Sequence, residues 1–232
     1  MTSEVKNPFQ PPLNGDHDSA LYEITQLINN LQAEECPKRI ASVDSLLLIS
    51  SALGPDRTRN ELMPFLTDLL DDEETVLIRL SLQLGDMLDY VGGPQHASDL
   101  LNILEKICAL EELSVREHAT ESIKKILSAL KLSQEADKVM LMIRRLNQCP
   151  DNTTKYTTVH LIPFVYSYFS AAHQQELMDI YVQISNDPAP QVRKQASIVL
   201  NSMIKLVPKI PETELFNIFS KFYRDQHDSV RM

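Results

Sequence analysis

The sequence predicts an all-α protein, a right-handed stack of paired helices amounting to an α-solenoid of about five and a half helix pairs. Three observations predict it. A short pattern recurs at a nearly constant interval along the 232 residues. Apolar residues recur at helical spacing between those repeats. Only five glycines, Gly15, Gly54, Gly85, Gly92 and Gly93, are present, which leaves little material for tight β-turns and favours helices.

The pattern is clearest at Val115-Arg116, which heads a helical segment with Ala119 and Ile123 on one face. Val192-Arg193 does the same with Ala196 and Leu200, and Val230-Arg231 appears near the end. Val76-Leu77 is a degraded copy; Lys38-Arg39 and Thr154-Lys155 are weaker ones. The positions 38, 76, 115, 154, 192 and 230 are separated by 38, 39, 39, 38 and 38 residues. Such a period is that of the ~40-residue HEAT and armadillo repeats. The expected fold is therefore a HEAT-repeat solenoid over residues 19–232, with units at about 19–54, 55–92, 93–131, 132–170, 171–208 and a truncated 209–232. Residues 1–18 are polar and Pro-rich and are expected to be disordered.

Each unit reads as two helices. Ser19 to Leu31 pairs with Lys38 to Leu53. Glu61 to Leu70, with Leu62, Phe65, Leu66 and Leu69 at helical spacing, pairs with Thr75 to Tyr90, whose stripe is Val76, Leu80, Leu84 and Leu88. Gly92-Gly93-Pro94 should stop that helix. Gly85 lies inside it, where glycine costs ~1 kcal/mol against alanine, so a close helix approach is expected there. Gln95 to Ala109 pairs with Ser114 to Leu130, Gln134 to Asn147 with Thr153 to Phe169, and Ala172 to Ser185 with Pro190 to Leu206. Pro163 should kink the helix that contains it. Glu212 to Tyr223 is left without a second helix. Leu215, Phe216, Ile218, Phe219 and Phe222 give it more than one apolar face, which predicts a longer scaffold, self-association or a partner at that end.

Composition narrows function. With 22 Lys+Arg against 32 Asp+Glu the formal net charge is −10, which argues against nucleic acid or an anionic membrane as partner. No apolar run approaches the ~18 residues of a membrane helix, and Met1 to Gly15 has no signal-peptide core. Cys36, Cys108 and Cys149 are an odd, unpaired set, which suits a reducing compartment. The reading is a soluble protein of the cytosol or nucleus. His17, His96, His118, His160, His173 and His227 form no His-x-x-x-His frame, so no metal or other cofactor is expected. No phosphate-cradling loop and no nucleophile elbow exist, and no catalytic constellation is visible. Asp71-Asp72-Glu73-Glu74 lacks the glycine and alternate-residue spacing of a Ca²⁺ loop and reads instead as a turn that caps the next helix. Cys108 and the aromatic run Phe164, Tyr166, Tyr168 and Phe169 read as core.

Repeat stacking uses up the apolar stripes, so binding falls to the turns inside each unit. These are Glu34 to Pro37, Asp71 to Glu74, Glu111 to Ser114, Cys149 to Thr153, Asp187 to Pro190 and Asp225 to Ser229. The candidate partner-binding residues are Glu34, Glu35, Asp71, Asp72, Glu73, Glu74, Glu111, Glu112, Asp151, Asn152, Asp187, Pro188, Asp225 and Asp228. Repeat class alone leaves a free-standing protein-interaction adaptor as an alternative reading.

The stretch Leu53 to Leu69, LGPDRTRNELMPFLTDL, closely resembles the scaffold (A-type) subunit of protein phosphatase type 2A. The similarity continues through Gln83-Leu84-Gly85, Val91-Gly92-Gly93-Pro94 and Val115 to Ser122, and more faintly through Asp225 to Arg231. The resemblance implies a non-catalytic scaffold that holds regulatory (B-type) subunits on the ridge of intra-repeat turns. It also implies that this chain corresponds to the N-terminal repeats, without the C-terminal site for the catalytic subunit. The chain departs from the family at Cys149 to Lys155, where Asp151 stands in place of an exposed Trp.

Overall fold

A computed structural model of the chain describes residues 18–150, 152–206 and 210–231. The expected N-terminal segment, but for Asp18, and Asp151 lie outside the described residues. Among the described residues the regular structure is helical throughout. The chain forms two compact units, residues 1–107 with 121–126, and residues 108–120 with 127–232.

The first unit opens with α1 (Asp18–Asn30), α2 (Cys36–Asp44) and α3 (Leu46–Arg57). Gly54 breaks α3 with φ 76° and ψ 165°, a conformation that L side chains resist. Pro55, whose fixed φ suits a helix start, then begins the next helix. That helix passes through a π-helical turn (Thr58–Leu62) into α4 (Met63–Thr67). Pro64 has no N–H for the carbonyl four residues back, and its ring crowds that carbonyl, which accounts for the widened turn. The expectation of a helix from Glu61 to Leu70 is corrected here: the helix starts six residues earlier, because Gly54-Pro55 is a break-and-restart and not a linker.

Next come α5 (Glu74–Asp86), short 3₁₀ turns at Asp89–Val91 and Pro94–His96, and α6 (Ala97–Ile107). α5 ends four residues before the expected Tyr90, and Gly92 and Gly93 then turn the chain at φ 97° and 92°. Leu80 and Leu84 are buried as the stripe requires. Second helices pack on each other, α2 against α5, and first helices do the same, α4 against α6. A Cβ on Gly85 would lie 2.9 Å from Ser122 Oγ and 3.0 Å from its Cβ, so the close approach expected at that glycine is present.

α7 (Leu113–Ser128) contributes residues to both units. The second unit continues with α8 (Leu132–Gln148), α9 (Thr153–Val165), a 3₁₀ turn (Tyr166–Tyr168), α10 (Ala171–Ser185), α11 (Pro190–Ile204) and α12 (Glu212–Tyr223). α9 contains Pro163 and ends two residues after it, short of the expected Phe169. Here α9 packs on α11 and α10 on α12, so the pairing of like helices is repeated. Buried hydroxyls mark the same register: Thr120 and Thr157, 37 residues apart, lie Oγ1 to Oγ1 at 2.9 Å. Cys108, Tyr166 and Phe169 are core, while Tyr168 is exposed. On α12, Leu215, Ile218 and Phe222 are buried, whereas Phe216, Phe219 and Tyr223 stay exposed.

Candidate partner-docking ridge

Most of the intra-repeat turns are organised by a cation at the motif position that follows them; the second pair has Leu77 there instead. Arg39, on the first turn of α2, donates through Nη1 to the carbonyls of Ala33 (2.8 Å) and Glu34 (2.9 Å) in its own turn. Its Nε reaches Asp72 in the next turn at 3.0–3.1 Å, and Nη2 reaches Glu73 at 2.8 Å. One guanidinium thus ties two successive turns, using the planar fork that lysine lacks.

Arg193 repeats the arrangement in the second unit. Nη1 donates to the carbonyls of Asp187 (2.8 Å) and Pro188 (3.1 Å), and Nε and Nη2 hold Asp225 at 2.7 and 2.9 Å. Lys155 makes the intervening rung, bonding Asn152 at 2.8 Å and Asp187 at 2.6 Å. Arg231 turns back to the carbonyls of Asp225 and Gln226 and pairs with Asp228. The offset from cation to carboxylate is 33 residues at Arg39 and 32 at Lys155 and Arg193. A parallel tie joins the first helices, Arg144 on α8 gripping Glu176 on α10 at 2.6 and 2.7 Å.

Electrostatics follow the contacts. The hydrogen bond to Asp72 holds Arg39 above its ordinary value, and that to Asp225 does the same for Arg193. The Arg193 guanidinium in turn holds the Asp225 carboxyl at about 2, well below the usual carboxylate range. Arg116 runs the other way, pushed down by burial.

The thirteen candidate residues that the structure describes, all but Asp151, therefore divide. Asp72, Asp187 and Asp225 are drawn into the ladder, each also accepting a backbone N–H of its own turn, from Glu73, Ala189 and His227 respectively. Asp187 is only 7% exposed. Glu34, Glu35, Asp71, Glu73, Glu74, Glu111, Glu112, Asn152, Pro188 and Asp228 face solvent. Glu35 is paired with Lys38, three residues on. The capping role expected of Asp71 to Glu74 is corrected: α5 has Glu73 at its N-cap with no side-chain cap bond, because Arg39 draws Asp72 and Glu73 away from that helix end. The residues missed in the sequence are the cations Arg39, Lys155 and Arg193. Their signal was present, as an aspartate 32–33 residues after each.

Among the described residues no group of three or more His, Cys, Asp or Glu side chains could hold a metal ion, and no helix is long and apolar enough to cross a membrane. No protein-family model matches the chain.

Comparison with curated proteins is decisive. The chain is 37% identical over 216 residues to a probable serine/threonine-protein phosphatase PP2A regulatory subunit of Caenorhabditis elegans, covering 93% of this chain and 37% of that protein. It is 36% identical over 214 residues to the A-type regulatory subunit of protein phosphatase PP2A of Schizosaccharomyces pombe, covering 91% and 36% respectively. The chain is a homologue of the A-type regulatory subunits of phosphatase 2A. The human beta isoform of the 65 kDa A-type regulatory subunit is 36% identical over 199 residues, 83% of this chain and 32% of that protein. The chain thus spans about a third of the length of these relatives. They are named for regulation or scaffolding of a phosphatase, not for catalysis.

Proposed function

We propose that the chain is a non-catalytic scaffold that holds phosphatase regulatory (B-type) subunits on its intra-repeat turns and does not bind a catalytic subunit by itself. Homology to the A-type subunits is the observation that carries this reading. The geometry supports it. Ladder cations bond the backbone or carboxylates of these turns, and the outer carboxylates Glu34, Glu35, Asp71, Glu74, Glu111 and Glu112 remain exposed to meet a basic partner surface. Ordered turns lose little entropy on docking, which favours binding at such positions.

The test is direct capture. Purified chain is immobilised and offered purified B-type regulatory subunits and, separately, purified catalytic subunit. Retention of a regulatory subunit, weakened by the combined Asp71→Lys, Glu74→Lys, Glu111→Lys and Glu112→Lys variant, is the expected result. Capture of no regulatory subunit, or capture that ignores this charge reversal, overturns the proposal.

A further inference from the structure

The ladder has no cation at Leu77 and an open rung at Arg116. Arg116 stands in the same place as Arg39 and Arg193. Its Nη1 donates to the carbonyls of Leu110 (2.7 Å) and Glu111 (2.6 Å), reproducing the inner half of the arrangement. The outer half is missing. Counting 33 residues on from Arg116 reaches Cys149 where the other rungs have aspartate. Arg116 Nε is buried with no hydrogen-bond partner, and among the described residues no carboxylate bonds this guanidinium. A cation that cannot lose its proton is therefore left half-satisfied, an arrangement that a matching anion would stabilise.

Arg116 also lines a groove of about 500 Å³ in the second unit, together with Leu113, Asn152, Tyr156, Val192 and Lys194. Leu113 is 45% exposed, and Tyr156 is held in place by stacking on His160 at 4.3 Å. The groove thus combines a half-satisfied guanidinium, a second cation and an apolar-aromatic wall. Glu111, Glu112 and Glu117 stand beside it, near enough in sequence to add negative charge at its rim. Those carboxylates oppose a polyphosphate backbone or an anionic membrane, but not one acidic side chain delivered on an otherwise uncharged peptide.

We propose that this groove is a docking site for an aspartate or glutamate side chain of a protein partner, whose carboxylate pairs with the Arg116 guanidinium. The inference rests on the ridge being the partner surface. It adds the chemistry of one anchor: the partner supplies an acid at this point, although the rest of the ridge is itself acidic. Binding there would complete the Arg116 fork between the third and fourth turns.

A selection that needs no phosphatase subunit tests this independently of the proposed function. Random twelve-residue peptides displayed on phage are selected on the whole chain and re-tested on Arg116→Ala, Cys149→Asp and Asp151→Asn variants, each checked for helicity. Peptides that need the groove should be enriched in one acidic residue. They should lose about tenfold or more in affinity on Arg116→Ala, and on amidation of that acid. They should lose as much on Cys149→Asp, which closes the rung internally without removing the cation. Selection that yields no acidic preference, or no binder at all, or peptides that bind Arg116→Ala and Cys149→Asp as well as the parent, overturns the proposal. So does tighter binding to Asp151→Asn, because the chain's own Asp151 would then be the occupant.

Discussion

Arg193 joins two turns of the second unit: its Nε and Nη2 hold both oxygens of Asp225 at 2.7 and 2.9 Å, while its Nη1 is anchored on two carbonyls of its own turn. Both side chains are largely shielded, at 16% and 10% exposure. Removing one partner strands the other in a place that water reaches poorly. Arg193→Ala and Asp225→Asn should each cost about 1–3 kcal/mol in denaturant unfolding, and the double variant should cost clearly less than the two added together. Full additivity would mean that the pair is not coupled.

Acid should test the same pair. A carboxyl held at about 2 when folded and near the usual ~3.9 when unfolded contributes stability that is fully present above the unfolded value. That contribution is lost as pH falls from about 4 toward 2. Asp225→Asn should remove this part of the acid dependence and flatten the stability curve between those values. An unchanged slope in the asparagine variant would place the acid sensitivity elsewhere.

Arg39→Lys separates charge from shape. Lysine keeps the cation but cannot reach Asp72, Glu73 and the carbonyls of Ala33 and Glu34 together. A loss of about 1–2 kcal/mol is expected in thermal or chemical unfolding. Equal stability of the two forms would show that only the charge matters at this rung.

Gly85→Ala should destabilise despite alanine's better helix propensity. The added methyl would meet Ser122 Oγ at 2.9 Å and its Cβ at 3.0 Å. Overpacking of this kind costs about 1–3 kcal/mol, more than the ~1 kcal/mol that alanine gains in a helix. Ser122→Gly in the same chain should restore most of the loss, and calorimetry of the two single variants and the double variant decides it.

Leu84→Ala should cost about 2–5 kcal/mol, because Leu84 is fully buried on α5. Phe216→Ser on α12, at 64% exposure, should change stability by about half a kcal/mol or less. Similar losses from both would show that the exposed face of α12 is covered in solution.

The helix-pair stack was legible because it is written redundantly. Val115, Val192 and Val230 are all buried at one position of the period, and α12 runs over the Glu212 to Tyr223 anticipated from its pattern. Boundaries failed where local backbone chemistry outweighed periodicity. Gly54-Pro55 restarts a helix, and α5 ends at Asp86 although Leu88 continues the apolar spacing and is buried. At the ridge, hydrophobic periodicity carries no information about which of four adjacent acids turns inward. Asp71, Asp72, Glu73 and Glu74 look equivalent in sequence; Arg39, 33 residues earlier than Asp72, sorts them. A pair fixed by distance between repeats is visible only when spacing is counted from cation to anion and not from motif to motif.

The ladder also bears on how such a chain can lengthen. Each rung takes its cation from one repeat and its anion from the next, so tandem duplication of a single repeat brings that repeat's cation against a copy of its own acidic turn. A copy carrying both Asp187 and Arg193 would join to its twin with a matched arginine–aspartate rung. A copy carrying Cys149 and Lys155 would set an ammonium against a thiol. Growth by duplication is therefore unequally tolerated along this chain, and the difference lies in one residue per repeat, not in the helices that build it.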